Sequence, residues 1–70
     1  MTEEYKKYKE SNDLLKKRLA ELHKQKLKAG TSGDTEEVIK ITTEMIHLNR
    51  SMILNNHRLK VIMDALRNNS

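Results

Sequence analysis

The only backbone punctuation in this sequence is the stretch Gly30-Thr31-Ser32-Gly33-Asp34, which holds both glycines of a chain with no proline. Everything on either side is free of helix breakers and dense in Leu, Lys, Glu, Ile and Met, a helical composition. One break in seventy residues leaves room for two long helices and little else. Gly30 suits the left-handed residue that follows a helix end. Asp34, with Thr35-Glu36-Glu37 after it, reads as an N-cap with Glu37 at the third helical position and acidic side chains in the first turn. Lys24, Lys26 and Lys28 crowd the preceding helix end, where cations complement the carbonyl dipoles. The sequence therefore predicts one domain: a helix over 3–29, a turn over 30–34, a helix over 35–67 and a short polar tail over 68–70. So short a turn lays the helices antiparallel. The fold class is all-α, a coiled-coil-like hairpin.

The two helices carry unequal apolar surface. On the first, Tyr5, Tyr8, Asn12, Leu15, Leu19, Leu22, Lys26 and Ala29 recur at alternating steps of three and four, the a/d pattern of a narrow coiled-coil seam. Leu14 and Leu27 fall outside it. On the second, Val38, Ile41, Met45, Leu48, Met52, Asn55, Leu59, Ile62 and Leu66 form one such line. Ile39, Ile46 and Ile53 form another, beyond a polar row of Thr42, Asn49 and Asn56. A narrow partner can bury only the first line. The hairpin seam is thus expected to be built from Tyr8, Leu15, Leu19, Leu22, Ile41, Met45, Leu48, Met52 and Leu59. Leu15 should sit opposite Leu48, Leu19 opposite Met45 and Leu22 opposite Ile41, with Tyr8 near Asn55 as a hydrogen-bonded couple.

The second line, with its polar row, is expected to be a self-association interface: Ile39, Ile46, Asn49, Ile53, Asn56 and Met63. A chain this small without a disulfide usually completes its core by oligomerising, and two hairpins related by a two-fold axis make a four-helix bundle. The alternative occupant is a different, unidentified protein. Asn12, Asn49, Asn55 and Asn56, in or beside the stripe, have two readings, a polar recognition surface or register control, and the second is the commoner use of asparagine in a coiled-coil core.

Chemistry is sparse. There is no Cys, which removes disulfides and thiolate metal sites. Glu44-Met45-Ile46-His47 has the Glu-x-x-His spacing of di-iron bundles, but helical geometry turns Glu44 to the margin and His47 away from the apolar arc. His23, His47 and His57 share no face, no hydroxyl has a base in reach, and two glycines do not make a phosphate loop. No enzyme activity, cofactor or metal is expected. The sequons Asn49-Arg50-Ser51 and Asn68-Asn69-Ser70 lack a secretory context. No apolar run approaches a membrane span, so the chain reads as soluble and cytoplasmic with no membrane partner. Its richness in Lys, Asn and Ile fits an AT-rich genome, such as that of a low-GC bacterium or a phage.

Net charge is +4 and concentrated in the first helix. Lys16, Lys17, Arg18, Lys24 and Lys28 offer a nucleic-acid contact along that helix. Against this, Glu3–Lys7, Asp13–Lys17 and Glu21–Lys24 have the spacing of ordinary surface ion pairs, and no aromatic side chain is free to stack on bases. The function expected is a small non-enzymatic protein–protein interaction module, a regulator, adaptor or assembly factor acting as a homo-oligomeric hairpin. A small basic RNA- or DNA-binding hairpin is the alternative.

Overall fold

The computed structural model describes residues 2–68. It consists of α1 (Thr2–Thr31) and α2 (Thr35–Asn68), packed antiparallel along their length in a rod of 55 × 14 × 12 Å. Asn68 is helical; the rest of the expected polar tail, with its sequon, lies outside the described residues.

The break is tighter than expected, and it uses the other glycine. Gly33, with φ of 75°, is the one described residue in the left-handed region. Gly30 is an ordinary helical residue. The hydrogen bonds explain why. Asp34 N donates to Ala29 O at 2.9 Å and Gly33 N to Gly30 O at 3.1 Å, the paired bonds of a Schellman motif with Gly33 just past the helix end. Thr31 is the last residue of α1 and Ser32 follows it at the cap, their hydroxyls donating back to the carbonyls of Leu27 and Lys28. On the far side Asp34 caps α2, its Oδ1 accepting from Glu37 N at 3.2 Å. Asp34 N is already committed to Ala29, so the cap works through the aspartate arm. One residue, Asp34, closes one helix and opens the next.

The core follows the a/d stripes. Leu22, Ala29, Ile41 and Met45 are buried nearest the turn, with Leu19, Val38 and Leu48 packed against them. Tyr8, Leu15, Met52 and Leu59 are half-buried further along, and Ile62 is buried near the open end. Leu66 ends the stripe but is exposed, because α2 is four residues longer than α1 and its last turn outruns its partner.

The middle of the seam is polar. Asn55 Nδ2 donates to Asn12 Oδ1 at 3.0 Å and to Ser11 Oγ at 3.2 Å, and Asn12 Nδ2 donates to Asn56 Oδ1 at 2.8 Å. Asn12 and Asn55 are both buried, and among the described residues no buried side-chain polar atom lacks a partner. This corrects the expected Tyr8–Asn55 couple: the amide of Asn55 meets the side chain one helical turn further along α1. Tyr8 instead lies under Arg58, whose guanidinium carbon is 5.3 Å from the ring centroid.

Candidate protein-interaction surface

Helical geometry fixes what each flank of the hairpin presents. With the seam at a and d, an antiparallel pair brings g positions of the two helices together on one side and e positions together on the other. The g side is marked by Arg18 and Glu44, whose charged groups meet at 3.2 Å across the helices. Arg18 also reaches Glu21 at 3.4 Å. Ser11 and Arg58, which reach across to Asn55 and Tyr8, lie on this same side. The e side is marked by Asn56, held by Asn12.

Ile39, Ile46 and Ile53 occupy successive b positions of α2, just outside that e side. They are 60%, 47% and 68% exposed. Three isoleucines at seven-residue spacing form a single line about four helical turns long. Thr42, Asn49, Asn56 and Met63 lie between this line and the seam at e. Thr42 turns its hydroxyl back to the carbonyl of Val38, so it offers no unmet donor to the surface. On α1 the same side carries Ala20, His23 and Leu27, and Leu27 is among the most exposed apolar residues described. A shallow depression between the helices near the turn is lined by His23, Lys26, Leu27, Gly30, Thr31 and Val38.

The five basic residues of α1 are all exposed, yet the fold does not gather them. Lys16 points to the e side, Lys17 and Lys24 to the back of the helix, and Arg18 and Lys28 to the g-side half. Arg18 is engaged by two glutamates. The expected Glu3–Lys7, Asp13–Lys17 and Glu21–Lys24 pairs do not close; Lys6–Glu10 and Arg18–Glu21 form instead. Exposed pairs differ so little in energy that spacing alone does not select among them.

Glu44, the carboxylate of the Glu-x-x-His spacing, is used by Arg18, and His47 is exposed on the opposite flank from the isoleucine line. No group of three His, Asp or Glu converges among the described residues. No helix among them is long and apolar enough to cross a membrane.

Sequence reasoning missed the Arg18–Glu44 bridge and a second apolar pair, Leu54 and Val61, about half-exposed at c positions on the g-side half of α2. Both were reachable from the heptad assignment. Arg18 and Glu44 are g residues near the same level of the hairpin, where antiparallel geometry makes them neighbours. No known protein family, curated protein or solved structure matches the chain.

Proposed function

We propose that this protein is a small non-enzymatic protein–protein interaction module whose working surface is the isoleucine line of α2, and that it acts as a self-associated hairpin closed into a four-helix bundle. One observation carries the reading: Ile39, Ile46 and Ile53 stand in register on one face and stay largely exposed, although the seam beside them is filled. Isolated exposed apolar residues are ordinary, whereas a periodic line of β-branched ones is the pattern of a helix face awaiting a partner.

Area supports the same conclusion. A compact monomer of this mass exposes about 4,500 Å², whereas this chain exposes 5660 Å². The difference, about 1,100 Å², is comparable to the roughly 800 Å² that each partner contributes to a standard interface. The nucleic-acid alternative has less support, because its five basic groups spread over three faces and Arg18 is neutralised by glutamates.

Sedimentation of wild type, Ile46→Asp and Leu54→Asp tests the proposal. Wild type and Leu54→Asp associate at micromolar concentration, and Ile46→Asp sediments as a monomer. Three monomers, or association indifferent to Ile46→Asp, would overturn the self-association reading.

A further inference from the structure

The isoleucine face is uneven along its length. From Ala20, His23 and Leu27 on α1 across to Ile39, Thr42 and Ile46 on α2, the e and b positions of the half nearest the turn hold no Lys, Arg, Asp or Glu; the one charged neighbour is Lys26, half-buried at the seam where it lines the depression. Its charged groups all lie further from the turn: Lys6, Lys9, Asp13 and Lys16 on α1, Lys60 and Arg67 on α2. Five basic groups against one acidic is an excess equal to the protein's whole net charge of +4. The other flank is balanced, with Glu4, Glu21, Glu37 and Glu44 set among its cations.

A two-fold axis can stack two such faces in two ways. With both turns at the same end, α1 lies over the partner's α2, level with level. Lys6 and Lys9 then face Lys60, and symmetry repeats the clash. With the turns at opposite ends, α1 lies over the partner's α1 and α2 over the partner's α2, each pair antiparallel. The uncharged halves then overlap, Ile39 and Ile46 of one α2 meet those of the other, and Lys60 moves out towards the partner's turn. Like charges buried face to face cost several kcal/mol, and the second arrangement separates them.

We infer that the surface takes a second copy of this chain laid with its turn at the opposite end, packed about the Ile39–Ile46 segment of α2. The inference rests on the self-association reading and adds its geometry. The occupant is identified by two things: the accessible area in excess of a compact monomer is comparable to what each partner buries in a standard dimer, and the half of the face without charges at its e and b positions is complementary to itself once the copy is reversed.

The absence of cysteine makes the test clean. Ser32 is exposed in the turn, so Ser32→Cys takes a spin label without disturbing the seam. The centre of the Ile39–Ile46 segment lies about ten residues beyond Ser32, so the reversed arrangement places the two labels about 30 Å apart along the rod. Turns at the same end would place them under about 20 Å apart, two helix diameters.

The expected result is a dimer by sedimentation with a single long label-to-label distance. Its dissociation constant should change less than about threefold between low and moderate salt, because the basic ends lie beyond one another's Debye length. A dimer with the short distance, tightening steeply as salt screens its lysines, would overturn the arrangement while leaving self-association intact. A monomer at every concentration would overturn both.

Discussion

Replacing Asn55 by leucine puts the polar layer at the centre of the seam to a quantitative test. Asn55 is 8% exposed and donates twice from one amide, to Asn12 and to Ser11. Asn12 is 5% exposed and would keep its bond to Asn56 but lose the donor to its own Oδ1. A buried carbonyl left without a donor costs about 1–3 kcal/mol. Leucine at position 55 recovers part of that through its own burial, so the single variant should be destabilised by about 1–2 kcal/mol. In a domain of this size that lowers the melting midpoint by roughly 4–16 °C.

The double variant Asn12→Leu/Asn55→Leu behaves differently. It removes both halves of the buried pair and leaves Asn56 and Ser11, which are not buried, to bond with water. It should be at least as stable as wild type, which makes the interaction energy between the two sites about 2 kcal/mol and of opposite sign to the single effect. Urea titrations followed by far-UV circular dichroism, with all variants at one protein concentration, measure each leg of the cycle. Should Asn55→Leu alone prove as stable as wild type, the layer is not the closed hydrogen-bonded unit described above, and the argument fails.

Two further substitutions follow from the turn and the core. Gly33→Ala forces a side chain into the left-handed region and should destabilise by about 1–2 kcal/mol. Gly30→Ala, at a helical site with nothing within 4 Å of the added carbon, should stabilise by roughly 0.5–1 kcal/mol; thermal melts of the pair read the contrast directly. Leu22→Ala empties the most buried position, 1% exposed, and should cost about 2–5 kcal/mol, enough to abolish most helical signal at room temperature in so small a protein. Leu27→Ala, on the exposed flank five residues away, should change monomer stability by less than about 0.5 kcal/mol.

Much of this hairpin is legible from residue spacing because its determinants are local. Asp34 caps α2 through a bond to a residue three positions away, and the a/d stripes depend only on periodicity. What spacing does not resolve depends on how two finished helices settle against each other. The choice between Gly30 and Gly33 depended on whether α1 would run on through Gly30 to Thr31, which it does, with Thr31 and Ser32 bonding back to its last turn. The partner of Asn55 depended on how side chains interleave: a seam amide reaches diagonally into a gap between two residues of the other helix, so pairing by level alone misplaced it by a turn. Arg18 has Glu21 in reach along its own helix, and only the packed hairpin shows that Glu44 shares it.

The left-handed residue at Gly33 has a consequence for what the chain avoids becoming. If that single dihedral were to relax to a helical value, α1 and α2 would fuse into one continuous helix with no other obstacle among the described residues. Straightened helical hairpins commonly pair with one another and exchange halves. Here the phases forbid it. Counted onward from Tyr5 and Tyr8, the a and d positions of a fused helix would fall at Gly33, Glu36, Lys40 and Thr43, while Val38, Ile41, Met45 and Leu48 would drop to f and b, on the outside. The two halves would then show their apolar stripes to different sides, and no single partner could zip along both. The nine-residue step from Ala29 to Val38 thus acts as a phase lock: it makes the bent chain the only form in which both stripes meet.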